Sequence, residues 1–247
     1  MLPTMKGGMV MEKKTVETKA TEKNITEVVF ILDRSGSMGG LEADTIGGYN
    51  SMLARQKEEE GDVLISTVLF DDRTEVIHDR KSLKDVDPLT DKEYYVRGCT
   101  ALLDAIGGSI HHINQVQKTL PEAQRPDKTI FIITTDGLEN ASKVYDYDKV
   151  KKMVEKKKAK KGWEFIFMGA NIDAIDVANK FGVAANRAVT YESDCAGTSI
   201  NYSIMGDIVS RARKAKGACA MSACFDDEEM LEPARAHFAK AHGGKKS

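Results

Sequence analysis

Residues 28–38 read V-V-F-I-L-D-R-S-G-S-M, and the fold turns on how this stretch is understood. Val28, Val29, Phe30, Ile31 and Leu32, mostly β-branched or aromatic, run without a break into Asp33, then Ser35 and Ser37 with Gly36 between them. A short unbroken apolar run that stops at a polar, glycine-containing turn is the pattern of a strand buried on both faces. Leu41, Ile46, Tyr49 and Leu53 then recur near helical spacing over residues 41–60, where Gly47 and Gly48 lower the propensity but permit close packing on a sheet. Asp33, Ser35 and Ser37 therefore fall in the loop at the carboxyl end of a central parallel strand. Open α/β sheets bind their ligands there.

Residues 62–70 read as a second strand. The tight Asp71-Asp72-Arg73 turn and a short strand over 74–78 follow, antiparallel because a parallel return needs a crossover. A polar loop leads to Thr100, and then Leu102, Leu103, Ile106, Ile110, Ile113, Val116 and Leu120 mark the clearest helix of the chain. A doubly buried strand over 129–134 ends in Thr135-Asp136-Gly137. Next come a lysine-rich helix, a strand over 163–168, a helix over 173–181, a short strand over 188–191 and a helix over 199–214. This alternation predicts a doubly wound, mostly parallel α/β sheet with helices on both faces. The expected organisation is a disordered arm over 1–25, one domain over 26–216 and a C-terminal extension over 217–247, partly helical or disordered.

The 247 residues, 41% hydrophobic and 30% charged, are enough for a sizeable core. A net charge of −2 gives no global field favouring nucleic acid or an anionic membrane. No apolar run approaches the ~20 residues that span a bilayer, and the first residues hold no apolar signal region, so a cytoplasmic location is expected. Cys99, Cys195, Cys219 and Cys224 form no C-x-x-C pair and have no histidine at zinc-site spacing, which points to reduced thiols. His111 and His112 are adjacent on a helix, face different ways and do not chelate one ion.

Three loops carry oxygen side chains: Asp33, Ser35 and Ser37 in the first, Thr100 in the second, Asp136 in the third. If the first strand and the 129–134 strand are neighbours at a switch in strand order, the three loops converge on one crevice. Carboxylates and hydroxyls suit a hard divalent cation, Mg²⁺ or Mn²⁺. Two carboxylates only neutralise such an ion, leaving its open side electrophilic and favouring one more anionic ligand. Asp104, one turn beyond Thr100, reads either as an orienting partner or as a helix-start carboxylate. Asp71 and Asp72 read as turn residues.

With these residues in place, the chain resembles a von Willebrand factor A domain carrying a metal-ion-dependent adhesion site. The D-x-S-x-S motif of that family falls on residues 33–37, its threonine on Thr100 in G-C-T-A-L-L-D-A-I, and its T-D-G on residues 135–137; the likeness covers about residues 26–215. The resemblance implies a six-stranded sheet with one short antiparallel edge strand. It further implies serine and threonine ligands on the metal, carboxylates often acting through water, and an acidic group from a partner completing the coordination. The chain is more similar to bacterial or phage cytoplasmic members, which often work in larger assemblies, than to cell-surface adhesion proteins. The tail beyond 217 lies outside the family pattern.

The leading expectation is a non-enzymatic, Mg²⁺-dependent module that binds a protein partner through an Asp or Glu of that partner. The chain has no G-x-x-x-x-G-K-[ST] phosphate loop and no G-x-S-x-G elbow. A second reading is a metal-dependent phosphatase or hydrolase with Asp33 as nucleophile, weakened because Ser35 cannot serve as the acid for the leaving group. A third is nucleic-acid binding through Lys149–Lys161, with eight lysines and one glutamate, whose plainer reading is a solvated helix face. The residues select no oligomeric state.

Overall fold

The computed structural model describes residues 24–243; the arm expected at the N-terminus lies outside the described residues as far as residue 23. Six strands form one sheet: β1 (Thr26–Asp33), β2 (Val63–Phe70), β3 (Thr74–Ser82), β4 (Lys128–Thr135), β5 (Glu164–Ala170) and β6 (Ala188–Tyr191). The helices are α1 (Glu42–Lys57), α2 (Leu102–Thr119), α3 (Tyr147–Lys161), α4 (Ala174–Lys180), α5 (Cys195–Lys214), α6 (Gly217–Cys224) and α7 (Glu232–His242). None of the described helices is long and apolar enough to cross a membrane.

The strand order is β3-β2-β1-β4-β5-β6, parallel except for β3. Val28 sits opposite Ile65 on one side and Ile130 on the other, so β1 is hydrogen-bonded along both edges. The direction of winding reverses between β1 and β4. Their carboxyl ends consequently open a crevice that no crossover helix covers.

Every residue of β1 is buried. The two-residue period of the strand sends Val28, Phe30 and Leu32 to a layer shared with α1 and α5, and Val29 and Ile31 to one shared with α2 and α3. Phe131 stacks on Trp163 and Phe165, at centroid distances of 5.2 and 4.9 Å, within the second layer. The lysine-rich α3 starts where Asp146 accepts a hydrogen bond from the Lys149 amide, and Val150 and Val154 anchor its inner side.

Two elements run past their expected ends. β3 continues to Ser82, because the edge strand carries E-V-I-H-D-R-K rather than an apolar alternation, and register shifts near Thr67 let it bend. α5 begins at Cys195, where the Asp194 carboxylate caps the Gly197 amide at 2.6 Å.

The chain beyond 216 packs on the α1/α5 side of the sheet through Met221, Phe225, Met230, Leu231 and Ala234. Buried cations bind the carbonyls at two helix ends, Arg187 at the end of α6 and Lys128 at the end of α5. Arg187 donates to the carbonyls of Ser222 and Phe225 while pairing with Glu164 and Asp226. Lys128, 1% exposed, donates to the Arg213 and Ala215 carbonyls at 3.0 and 2.7 Å. These are the acceptors that a helix C-terminus leaves unmatched.

His78, on β3, is 4% exposed and its Nδ1 lies 3.0 Å from Thr67 Oγ1, which also meets Tyr49 Oη at 2.5 Å. Burial holds the imidazole below its ordinary 6.5, with Lys81 and Lys57 acting in the same sense and Asp87 and Glu93 opposing. As pH falls below 6.5 the unfolded chain binds more protons than the folded one, so stability declines with acidification. His78→Gln should flatten that decline by at most one proton, about 1.4 kcal/mol per pH unit. Urea midpoints measured across a pH series for the two proteins check it.

Candidate metal centre

β1 delivers Asp33 to the mouth of the crevice. The chain then turns at once, because Asp33 Oδ1 accepts the Ser35 amide at 2.7 Å and a short 3-10 turn spans Gly36–Met38. Tyr94 Oη, buried, donates to the Asp33 carbonyl at 2.6 Å and props the strand end from below. The Gly36 amide bonds to the Gly98 carbonyl at 3.2 Å, joining the first loop to the second. Gly98 has φ +66°, and a Cβ there would stand 2.8 Å from Asp72 Oδ1, so the second loop requires glycine at this place.

Thr100 sits just ahead of α2 and is 3% exposed. Its amide donates to Asn140 Oδ1 at 2.9 Å, and its carbonyl accepts the Asn140 amide at 3.0 Å, which ties the second loop to the third. Glu139 and Ser142 complete this lacing. The Glu139 carboxylate accepts from the Leu103 amide at the start of α2, and Ser142 Oγ accepts from the Asp104 amide. Asp104 accepts the amides of Lys143, Val144 and Tyr145 at 2.8–2.9 Å. Asp104 thus acts as a clamp on the loop after β4, its carboxylate spent on the amides of that loop.

The five residues singled out in the sequence meet. Thr100 Oγ1 lies 3.1 Å from Ser35 Oγ, Ser35 Oγ lies 3.0 Å from Ser37 Oγ, and Ser37 Oγ donates to Asp136 Oδ1 at 2.5 Å. Asp33 Oδ2 accepts from Thr135 Oγ1 at 2.5 Å, beside Asp136. Gly137 closes the ring: a Cβ on it would stand 2.8 Å from Thr100 Oγ1 and 3.2 Å from Ser37 Oγ.

No cation balances the two carboxylates among the described residues; neither takes part in an ion pair. Burial pushes the Asp33 carboxyl up to about 6, opposed by its bonds from Thr135 and Ser35 and reinforced by the charge of Asp136. Burial also raises Asp136, with the Ser37 bond opposing. Among the described residues no group of three or more His, Cys, Asp or Glu could hold a metal. Two carboxylates with three hydroxyls make an oxygen site that could hold only a hard cation.

A second network, invisible in the motif, supports the first loop. Arg34 points away from the crevice and is fully buried. Its guanidinium donates to Asp71 at 2.9 Å, Glu75 at 2.6 Å and the Glu93 carbonyl at 2.9 Å, while Arg97 joins Asp71 at 2.8 Å. Tyr95 covers both guanidinium groups at 5.2 Å. Asp71 does form the turn, through the Arg73 amide at 2.9 Å, and it is also the buried anion of this cluster. A charged pair following the end of an apolar strand was the available hint. All four cysteines are free thiols, and His112 pairs with Asp79 at the surface.

No protein-family model and no curated protein sequence matches the chain. Solved structures do. The von Willebrand factor type A protein from Catenulispora acidiphila is similar over 78% of this chain at 15% identity and a TM-score of 0.50. That match takes in 44% of the Catenulispora chain, so the present chain spans less than half of its length. The von Willebrand factor domain of the type V pili tip protein Mfa5 from Porphyromonas gingivalis is similar over 78% of this chain and 98% of its own, at 11% identity and a TM-score of 0.53. Manganese-loaded TRAP protein from Plasmodium vivax matches over 72% of each chain, at 15% identity and a TM-score of 0.50. At such identities the likeness is one of fold: a six-stranded, mostly parallel sheet with one antiparallel strand, as in von Willebrand factor A domains.

Proposed function

We propose that this chain is a non-enzymatic, cytoplasmic protein-binding module whose docking depends on Mg²⁺ or Mn²⁺, with an Asp or Glu of the partner completing the coordination, within a bacterial multiprotein assembly. The observation that carries this reading is the meeting of Ser35, Ser37 and Thr100 with Asp33 and Asp136 at the switch point of the sheet, with neither carboxylate ion-paired among the described residues. Ser35 lies 3.0 Å from Ser37 and 3.1 Å from Thr100, close enough for one small cation to meet all three hydroxyls. In this reading the three hydroxyls and Asp136 hold the ion, while Asp33 orients Ser35 and supplies charge from behind. The ion's chemistry is that of a Lewis acid accepting one more carboxylate oxygen. The manganese-loaded TRAP neighbour is in keeping with divalent metal use on this fold.

Two further features favour binding over turnover. Asp33 is 0% exposed and both of its carboxylate oxygens are engaged, which leaves no free face for nucleophilic attack. The loops around the site present Tyr95, Leu138 and Val144 at 42%, 59% and 64% exposure, apolar groups suited to a protein partner. The decisive experiment titrates Mn²⁺ by paramagnetic resonance. Wild type should bind one ion, and the Asp33→Ala, Thr100→Ala double variant none. Pull-downs in Mg²⁺ and in chelator should then retain partners only for wild type with metal. Unchanged Mn²⁺ binding by the double variant would refute the reading.

A further inference from the structure

The far pole of the molecule carries a feature that the metal centre does not use. α2 and α3 lie side by side in the second layer, and their C-terminal halves flank a groove of about 290 Å³. Lys118 lines one wall; Lys156, Lys157, Lys160 and Lys161 line the other, with His111 above. Ile110 and Met153 form an apolar floor, and no aspartate or glutamate lines the groove. Glu155, the one acid within residues 149–161, packs beside Lys151 against Gly182, on the side of α3 facing away.

This convergence exceeds what helix termini require. The two C-terminal dipole ends supply about −0.5 charge each, against five ammonium groups. Lys157 is the pivot of the cluster. Its ammonium donates to Asn114 Oδ1 and stands 5.0 Å from the Trp163 ring, so it is fixed in the groove rather than free in solvent. Burial lowers its pKa, and the charges of Lys118, Lys161 and Lys156 lower it further, which shows how closely the cations crowd. Like charges gathered around a concavity with no internal counter-ion make a binding site for a dense anion.

We propose that the α2/α3 groove binds a compact polyphosphate, a small molecule carrying two or more adjacent phosphate groups. The size of the groove and the placing of its lysines argue against an extended nucleic-acid backbone. Lysines face one another across a space of small-molecule size instead of lining an open track, and no Phe, Tyr or Trp lines the groove as a stacking platform for bases. Thr100 precedes the first turn of α2 and Lys118 lies in its last, about 27 Å along the helix. The groove therefore works independently of the metal centre, and each site can be tested with the other disabled.

The test is isothermal titration calorimetry on the metal-stripped full chain at low salt, with sodium tripolyphosphate, orthophosphate and a short single-stranded DNA as titrants. Tripolyphosphate should bind one to a chain, at least tenfold more tightly than orthophosphate, and weaken as salt is raised. Lys156→Gln with Lys160→Gln should reduce its affinity at least tenfold. Lys151→Gln with Lys158→Gln, which removes the same charge from the opposite side of α3, where Lys151 packs beside Glu155 against Gly182, should leave it within twofold. Absence of saturable heat with wild type overturns the proposal, as does equal loss in both double variants. Tighter binding of the DNA than of tripolyphosphate overturns it in favour of a nucleic-acid surface.

Discussion

Replacing Arg34 with methionine is expected to destabilise the protein by about 3–5 kcal/mol, the cost of leaving a buried ion pair with one member. The guanidinium is wholly buried and serves Asp71, Glu75 and the Glu93 carbonyl at once. Without it Asp71, itself 0% exposed, keeps only Arg97 and backbone donors. Denaturant titration of Arg34→Met, Asp71→Asn and the double variant should show the double losing about 1–3 kcal/mol less than the sum of the singles. The exposed Lys81–Asp87 pair, at 2.8 Å, serves as control, since removing it should cost no more than about 1 kcal/mol. Additive single effects would mean that the two residues contribute separately. Because Arg34 stands between Asp33 and Ser35, the same variant should also loosen the turn that presents the serines.

Gly137→Ala should lower Mn²⁺ affinity on the order of 10- to 100-fold, the range found when groups around a metal are disturbed, with far-UV circular dichroism unchanged. The new methyl group would stand 2.8 Å from Thr100 Oγ1 and 3.2 Å from Ser37 Oγ, so one hydroxyl must yield. Thr100 has little room to do so, being buried and held through its amide and carbonyl by Asn140. Gly36→Ala is the natural comparison: its Cβ would meet the Gly98 carbonyl at 3.5 Å, an ordinary contact, and the affinity should change little. Equal losses in the two variants, or none in Gly137→Ala, would remove the assigned role of the Thr100 and Ser37 hydroxyls.

The framework of the fold was legible because it rests on local patterns. Val28–Leu32 and Ile130–Ile133 are apolar without interruption, so their burial on both faces could be read without knowing what covers them. Strand order was only conditional in the sequence, yet once β1 and β4 are neighbours the five oxygen-bearing residues are brought together. The Arg34–Asp71–Glu75 cluster was not legible. Its members are separated by 37 and 41 positions, and an arginine within a polar turn carries no mark of burial. The packing beyond 216 escaped for a related reason: Met221, Phe225, Met230, Leu231 and Ala234 are shared among short helical segments, so no single period runs through them. Lys128 is a buried tie for two carbonyls, and a lysine at a strand start carries no mark of that role in the sequence.

The borders of the sheet govern how these molecules behave in a crowd. On one side the outermost strand carries charged residues, bends at its register shifts and holds Arg80 at φ +49°; on the other the outermost strand has only four residues. Neither border offers the long flat row of amides and carbonyls on which a neighbouring chain could add itself as another ribbon. Growth into fibres by strand recruitment is thereby blocked at both ends, and concentrated solutions should stay free of thioflavin-positive material even after long incubation.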